Sequence, residues 1–423
     1  MDLANLNPIY ALIKRLRPGE VTKEQKRLLL LVGVALLIEA YDVAIYGLAA
    51  PQIQKSLGIA EGDVGRVIAL FRLGVIPALG LAYLADIFGR RRMLLLTAAG
   101  SMLATVATAF AQDVTQFVAV QSLARVFSFA ETMLCFVVIA EEFDERLRGW
   151  ATGALGALGA SGTAVAAVAF ATVNQLPFGW RALFLLGAGP LLWLVWARRR
   201  LPETRRFTER KVAATYLAPL QNLLRAYPMR LILMIAMTIP LSFVSAPAVI
   251  LTSKFLQTTH GWAPWQVTAL ILSAGLLALA GAIVMGALSD RIGRRAILSV
   301  AIVVGVPSLA LFYTWAQGPW LAVFWILSIF ADLTASILIG GMTAELFPTS
   351  HRTLAAGIRY LCSILAGALG FLVEAELYDA FGSHGEAIAL MMIPAPLVLL
   401  PIWFLPEPAA KALETIAPER EAE

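Results

Sequence analysis

Twelve long apolar runs limit what this chain can fold into more than any other feature of its sequence. Each run has 18 to 26 residues, and about 20 apolar residues suffice for a helix to cross the hydrocarbon core of a bilayer. Hydrophobic residues make up 59% of the 423 residues and charged residues only 14%, too few to cover these runs in water. The sequence therefore predicts an all-α, polytopic membrane protein with twelve transmembrane helices, called spans 1 to 12 below. The runs are 28–50, 64–85, 93–112, 116–140, 149–171, 180–197, 230–253, 264–288, 296–315, 319–344, 353–378 and 385–405.

The chain also repeats itself at an offset of 204 residues. The loop DIFGRR at 86–91 recurs as DRIGRR at 290–295. The same offset relates Glu141 to Glu345, Arg148 to Arg352, Gly153 to Gly357, and Leu201-Pro202-Glu203 to Leu405-Pro406-Glu407. Two similar bundles that rock about a central site are typical of secondary transporters. The predicted parts are a leader (1–27), a six-helix bundle (28–200), a connection (201–229), a second six-helix bundle (230–405) and a tail (406–423).

Basic residues are concentrated on one side of the predicted spans, the side of the leader, the connection and the tail. The opposite side keeps only Lys55, Arg66, Arg181 and Lys254. This positive-inside bias predicts that both termini are cytoplasmic. It places the protein in the cell membrane, which is the inner membrane if the source is Gram-negative. The net charge of +5 then reflects topology and anionic lipid, so the lipid bilayer is a predicted partner and nucleic acid is not.

The sequence contains little that favours an enzyme. Cys135 and Cys362 lie inside spans of different repeats, which argues against a disulfide framework. His260, His351 and His384 do not have the spacing of metal ligands. Since no glycine-rich phosphate loop with its lysine is present either, we expect no cofactor, no metal and no nucleotide hydrolysis within this chain.

The loop motifs give the chain a resemblance to the major facilitator superfamily over nearly its whole length. GALSDRIGRR at 286–295 is similar to that superfamily's loop signature throughout, whereas AYLADIFGRR at 82–91 departs from it at Ala82 and Ile87. The resemblance implies that these loops gate access to the central site; a role in topology alone is the alternative. The implied gating residues are Asp86, Gly89, Arg90, Arg91, Asp290, Arg291, Gly293, Arg294, Arg295, Glu141, Arg148, Glu345 and Arg352.

Within the superfamily, the chain resembles the proton-coupled sugar and metabolite symporters, through EAYDVAIYG at 39–47 and ELFPTSHR at 345–352. Span 5 reads GALGALGASG and lacks the proline of efflux antiporters, and span 7 lacks the Gln and Asn cluster of sugar carriers. These features predict a secondary active transporter that takes up a small organic acid or related metabolite with protons, by alternating access, as a functional monomer. A proton-driven efflux antiporter, a sugar symporter and a sensor without flux are the alternatives.

Charged residues inside spans are costly and are therefore candidates for function. Counted at about 1.5 Å per residue from the cytoplasmic helix ends, the deepest, at about 20 to 24 Å, are Asp42, Arg72, Arg125 and Asp332. Glu39 and Glu131 lie at about 18 and 15 Å. Such a group could be an ion pair, a proton relay or a substrate site. Glu374 and Glu376 are expected to reach water at the outer end of span 11.

The resemblance implies that the acid of span 1 and the arginine of span 4, Asp42 and Arg125, form a proton-coupling pair. Arg125 stands about one turn closer to Glu141 than the family pattern places it, where this chain has Gln121. A purely structural pair is the alternative. The candidate proton-coupling residues are Asp42, Arg125, Glu39 and Glu131. The candidate substrate-binding residues are Arg125, Arg72, Asp332, Tyr41 and Tyr46.

Overall fold

The computed structural model describes residues 21–143, 145–199, 217–409 and 416. Within these ranges twelve helical segments are long and apolar enough to cross a membrane, which confirms the predicted number of spans. Most span ends lie within a few residues of the prediction. Span 7, predicted at 230–253, is longer and ends at Thr259, because its polar last turns bond to other helices. The predicted leader and connection lie largely outside the described residues.

In chain order, the helices are Lys23–Leu48 (span 1), Ala50–Leu57, Asp63–Arg72 and Val75–Phe88 (the two parts of span 2), Arg90–Ala109 (span 3), Val114–Glu142 (span 4), Glu145–Ala171 (span 5), Trp180–Arg198 (span 6), Leu217–Ala226, Pro228–Thr259 (span 7), Pro264–Ile292 (span 8), Arg294–Thr314 (span 9), Pro319–Leu346 (span 10), Thr349–Phe381 (span 11), and His384–Met391 with Leu399–Phe404 (span 12). The short 3-10 helix Ala395–Val398 joins the two parts of span 12.

The two repeated loops adopt the same backbone conformation. Gly89 and Gly293 have φ angles of 98° and 116°, a region that L side chains rarely adopt, so both positions favour glycine. Each glycine joins two consecutive spans without a longer loop. The face of the protein that carries both loops is called the motif face below.

Four apolar cores show how the two bundles meet. One core contains side chains from both bundles, including Phe71 of span 2, Leu251 of span 7 and Phe371 of span 11. Nearer the motif face, the N-terminal bundle (spans 1–6) and the C-terminal bundle (spans 7–12) each have a core of their own. A small fourth core joins Val75 of span 2 to Ile364 of span 11. The bundles are therefore joined most extensively at the face opposite the motif loops, which is called the closed face below.

Span 2 is interrupted where it passes the centre of the protein. Leu73 and Gly74 separate its two helices, and the Gly74 N–H donates to the Phe71 carbonyl three residues back, at 3.2 Å, as in a 3-10 turn. A Cβ atom at Gly74 would lie 2.8 Å from the Ser122 carbonyl oxygen and 3.0 Å from the Arg125 Cβ. The break thus lets span 2 approach span 4 at the level of Arg125.

Candidate functional site

The predicted central pair is present in the structure. Arg125 Nη2 donates to Asp42 Oδ2 at 2.5 Å, and both side chains are almost fully buried. Gln121, which holds the position where the family pattern has the arginine, accepts from Arg125 Nη2 at 3.3 Å. Within the described part of the chain, Arg125 Nε and Nη1 and Asp42 Oδ1 are buried without hydrogen-bond partners. The pair is therefore only partly satisfied, which leaves capacity for another polar group.

Arg72 lies beside Arg125, where span 2 meets span 11. Its guanidinium carbon is 5.7 Å from the centroid of the Phe371 ring, and a Cβ atom at Gly367 would lie 3.0 Å from Arg72 Nη2. Among the described residues it has no ion-pair partner, and its Nε is a buried donor without an acceptor. An unpaired guanidinium next to a second one, at the junction of the two bundles, is an arrangement suited to an anion.

Glu131 is paired with a residue that the sequence did not suggest. Arg198, at the end of span 6, donates to the Glu131 carboxylate and to the carbonyls of Leu31 and Leu94. Thr97 also donates to Glu131. Arg198 is fully buried, although it follows the predicted end of span 6 at residue 197 and is next to Arg199 and Arg200. The two partners are 67 positions apart in the sequence, a separation from which the pair could not be predicted.

The two candidate tyrosines of span 1 are both buried in the shared core. The Tyr41 hydroxyl donates to the Leu183 carbonyl of span 6 at 2.8 Å. The Tyr46 ring packs edge-on against Phe71, with centroids 4.9 Å apart. The structure thus places Tyr41 against span 6 and Tyr46 next to the helix that carries Arg72.

Each bundle contains a cavity, and these two cavities are related by the internal repeat. The first has about 20 Å³ of space, which is enough for one water molecule. The second has about 50 Å³. Seven pairs of lining residues are 204 positions apart: Ala98 and Ile302, Ser101 and Gly305, Thr105 and Leu309, Ala124 and Ser328, Ser128 and Asp332, Glu131 and Ala335, and Leu191 and Ala395.

The two cavities differ in chemistry. Glu39, Asp42 and Glu131 line the first cavity together with hydroxyl side chains. Asp332 is the one acid that lines the second cavity, with Ser245 and Ser328 as polar neighbours. Asp332 lies deep in its bundle while its side chain faces open space, and no described residue is within ion-pair distance of it. Asp332 is thus separated from Asp42 and Arg125, in the other bundle.

At the motif face, the two repeats form matching ion pairs. Arg90 bonds Glu141 at 3.1 Å in the N-terminal bundle, and Arg294 bonds Glu345 at 2.5 Å in the C-terminal bundle. Arg294 also contacts Asp290 at 3.1 Å. The side chains of Asp86 and Arg148, which were predicted to take part in gating, lie outside the described residues.

In the same face of the C-terminal bundle, Glu407 accepts hydrogen bonds from the backbone amides of Arg294 and Arg295, at 2.9 and 3.1 Å. Partial burial acts to raise the pKa of Glu407, but these bonds outweigh it and lower the pKa below its ordinary value. The Leu-Pro-Glu sequence that closes the second repeat therefore caps the first turn of span 9.

At the closed face, charged groups join the two bundles directly. Arg66 of span 2 bonds Glu376 and Asp379 of span 11, at 2.8 and 2.6 Å. Lys254 of span 7 donates to Glu61 and Gln54 of the N-terminal bundle. Partial burial acts to raise the pKa of Glu61, but the hydrogen bonds and charge of Lys254 outweigh it and lower the pKa below its ordinary value.

Glu374 corrects an expectation. It was expected to reach water, yet it is fully buried and bonds His384 Nδ1 at 2.5 Å. Span 2 can cover it because Gly65 has no side chain: a Cβ atom there would lie 2.7 Å from Glu374 Oε2 and 2.6 Å from the Phe371 carbonyl oxygen. Glu376, two residues later, is exposed as expected but pairs with Arg66.

Comparison with known proteins agrees with this architecture. The family model described as Major Facilitator Superfamily matches residues 32–283 and 242–421. A probable 4-methylmuconolactone transporter of Cupriavidus pinatubonensis is 26% identical over 387 residues, which cover 90% of this chain and 90% of that protein. The 3-(3-hydroxy-phenyl)propionate transporter of Escherichia coli is 26% identical over 291 residues, 67% of this chain and 70% of that protein. A crystal structure of a D-xylose-proton symporter has a TM-score of 0.77 at 18% identity and covers 91% of this chain and 99% of that chain.

Proposed function

We propose, because this chain belongs to the major facilitator superfamily, that it takes up a small organic acid across the membrane together with protons. The chain is a multi-pass membrane transporter and not an enzyme. Two relatives whose names state their substrates, the 4-hydroxybenzoate transporter of Pseudomonas aeruginosa and the gallate transporter of Pseudomonas putida, carry aromatic carboxylates. Their names support an acid as the substrate of this chain, although each matches only about two fifths of it.

The observation that carries the proposal is the unpaired guanidinium of Arg72. Arg72 is partly buried and has no carboxylate partner among the described residues, which favours an anion beside it. The planar guanidinium binds a carboxylate through two parallel hydrogen bonds. Phe71 and Phe371 lie beside the two arginines, with ring centroids 5.9 Å from the Arg125 and 5.7 Å from the Arg72 guanidinium carbon. These rings suit the apolar body of an organic acid whose carboxylate binds Arg72.

Proton coupling follows from competition for Arg125. In the structure its Nη2 is committed to Asp42, and its Nη1 and Nε are not. A carboxylate that binds Arg72 and reaches Arg125 would weaken the bond from Arg125 to Asp42. Asp42, in a buried site, would then lose its countercharge and take up a proton. Substrate and proton would thus bind together and leave together, as alternating access requires for symport.

The distribution of basic residues supports an orientation in which the motif face is cytoplasmic and the closed face is outside. The structure then represents a state that is closed to the outside, with both termini in the cytoplasm. A cysteine at position 208, in the connection between the bundles, should be labelled by a membrane-impermeant thiol reagent only after the cells are opened. Labelling in sealed cells would contradict this orientation and support the opposite one.

In this orientation, the motif-face residues would gate release to the cytoplasm. The matched pairs of Arg90 with Glu141 and of Arg294 with Glu345 lie within single bundles, so they can hold each loop in shape while the bundles move. We also propose that the monomer transports.

A binding assay tests the substrate class. Purified protein is screened by thermal shift against 4-hydroxybenzoate, 3-phenylpropionate, succinate and D-xylose, because a ligand that binds the folded state alone raises its apparent stability. We expect stabilisation by at least one of the acids and none by the sugar. Arg72→Lys and Arg125→Lys should abolish the shift, since they keep the charge and lose the planar fork. Arg181→Lys is the matched control, because its guanidinium bonds Ser56 and the Ala111 carbonyl at the closed face. Stabilisation by D-xylose alone, or an unchanged shift in Arg72→Lys, would contradict the proposal.

A further inference from the structure

His384 connects the two bundles through carboxylates on both of its ring nitrogens. Nδ1 is 2.5 Å from Glu374 Oε1 of span 11, in its own bundle, and Nε2 is 3.3 Å from Glu61 Oε2 of the N-terminal bundle. The ring also stacks on Tyr378, with centroids 4.2 Å apart. The imidazole thus lies between a fully buried carboxylate, Glu374, and one that is about half exposed to solvent, Glu61.

The number of donors on the ring decides how many of these bonds can form. A carboxylate only accepts hydrogen bonds, so each of the two contacts needs an N–H on the ring. A neutral imidazole has one N–H and can make one of the two bonds. An imidazolium has two and makes both, each strengthened by opposite charge. The complete bridge between the bundles therefore contains one proton more than the neutral ring can supply.

Charged and titratable groups of spans 7, 9 and 11 surround His384. Span 11 presents Glu374, Tyr378 and the nearby Asp379, and span 7 presents Lys254, which bonds the same Glu61 oxygen. Lys254 and its partners lower the pKa of Glu61, so that this carboxylate stays ionised over the range in which an imidazole titrates. The Tyr313 hydroxyl of span 9 lies near Glu374 and donates to the Ala248 carbonyl. Two carboxylates in direct contact thus oppose the single charge of Lys254.

We propose that His384 is a proton-binding site of the closed face, separate from the Asp42–Arg125 pair, and that binding of this proton fastens the two bundles together. When the closed face opens, Glu61 moves away with the N-terminal bundle, and the ring loses one of its two carboxylates. The closed conformation therefore binds more protons than the open one. By linkage, lower pH favours closure and higher pH favours opening.

The site is independent of the substrate and of the proposed symport. In the orientation proposed above, His384 lies at the outer face beside the half-exposed Glu61, so the proton would be taken from and returned to the outside. It would bias the conformational equilibrium without being carried across. In acidic surroundings the transporter would mainly occupy the conformation in which the two bundles are joined at the closed face. Substrate and proton at the central site would shift the equilibrium from that conformation.

Distance measurement between spin labels tests the proposal without a substrate. Labels at Asn174→Cys and Gln317→Cys report on the exposed loops of the two bundles at the closed face. Cys362→Ser removes the partly exposed native thiol, while Cys135 is fully buried. In full-length protein in lipid nanodiscs, we expect the short-distance population to grow as pH falls from 8 to 5.5. A difference of one bound proton gives a change in the closed-to-open ratio of up to about tenfold per pH unit.

His384→Gln should remove this pH dependence, because an amide cannot gain a donor. His260→Gln is the matched control: this second closed-face histidine packs on Phe255, and burial lowers its pKa. The His260→Gln protein should therefore show the same pH dependence as the native protein. All measurements are repeated with Asp42→Asn, so that titration of the central pair cannot produce the effect.

A distance distribution that does not change between pH 8 and 5.5, or a His384→Gln protein that responds like the native one, would overturn the proposal. If His384→Gln does not fold, Glu61→Gln decides the question, because its side chain is half exposed. It removes one charged acceptor and should move the midpoint of the transition to lower pH. An unchanged midpoint would count against the bridge. Failure of the substrate screen would leave these outcomes unaffected.

Discussion

The cavities of the two bundles have related positions and different chemistry. Seven pairs of lining residues keep the offset of 204, which means that the helices around both cavities retained their packing. The first cavity has three acids near two arginines, whereas the second has Asp332 alone. The duplicated fold thus preserved the space and not the charges. Around these cavities, the ionic side chains are concentrated in the N-terminal bundle, and the C-terminal bundle supplies a mainly apolar lining.

The buried ion pair near the motif face shows the same contrast. Thr97, Glu131, Cys135 and Arg198 form a polar cluster in the N-terminal bundle. The residues 204 positions later are Ala301, Ala335, Ile339 and Ile402, and all four are buried in the apolar core of the C-terminal bundle. One fold therefore accommodates either a polar cluster or an apolar one at the same place. This suggests that the cluster in the N-terminal bundle is not required for folding as such.

The largest effect is expected where the bundles differ most in charge. Asp42→Asn should abolish accumulation driven by a pH gradient and spare substrate exchange, because the amide has the size of the carboxyl and cannot titrate. Accumulation and counterflow in proteoliposomes, with an acid identified by the binding screen, measure the two properties separately. If the variant still concentrates the acid as the native protein does, the coupling role passes to Glu39 or Glu131.

The next effect concerns the buried pair of Glu131 and Arg198. Arg198→Ile alone leaves a buried carboxylate without its partner, which should cost about 3–5 kcal/mol of stability. Glu131→Ala with Arg198→Ile reproduces the residues of the second repeat and should recover most of this loss, since apolar replacement of a whole buried pair is often neutral. Thermal unfolding of the native, single and double variants measures both steps. A double variant as unstable as the single one would show that the two bundles are not interchangeable here.

A smaller effect is expected from the acid of the second cavity. Asp332→Ser introduces the residue that the first repeat has at position 128. If Asp332 contributes one hydrogen bond to the substrate, affinity should fall by about two- to tenfold, while the accumulation ratio at saturating substrate stays unchanged. Loss of accumulation comparable to that of Asp42→Asn would instead mean that both bundles carry a proton.

The smallest effect concerns the cap at the motif face. Glu407→Gln weakens the bonds to the amides of Arg294 and Arg295 and should cost about 1 kcal/mol. The pKa of Glu407 is lower in the folded state than in the unfolded state. The ionised carboxylate therefore stabilises the folded protein above the unfolded-state pKa, and this stabilisation is lost as pH falls through the folded-state pKa. The difference in thermal stability between native and variant proteins should therefore vanish in acid. Glu203→Gln, at the matching position, would show whether the first repeat is capped in the same way.

Much of the fold could be predicted because apolar length and internal repetition are local properties of the sequence. The twelve spans and the two copies of the motif loop follow from short stretches of sequence taken one at a time. The pairing of Asp42 with Arg125 required a family resemblance in addition, since nothing within either span indicates which helices are neighbours.

What the sequence did not predict depends on contacts between distant segments. Glu131 meets Arg198 across 67 residues, and Glu374 is covered because Gly65, on the other bundle, lacks a side chain. For the same reason, the histidine spacing that argued against a metal site gave no sign of the partners of His384. Its two partners lie 10 and 323 residues away, and only the folded protein brings them together.

The interruption of span 2 at Leu73 and Gly74 gives that span the mechanics of a jointed lever. The arm from Asp63 to Arg72 is about 15 Å long. Arg66, which bonds span 11, lies near the first residue of this arm, and Arg72 lies at its other end, next to the joint. A small rotation at the joint leaves Arg72 almost in place and moves Arg66 by a larger distance. Hydrogen bonds weaken steeply with small changes in distance and angle. Binding of a ligand at Arg72, next to the joint, can therefore release the contacts of Arg66, farther from it.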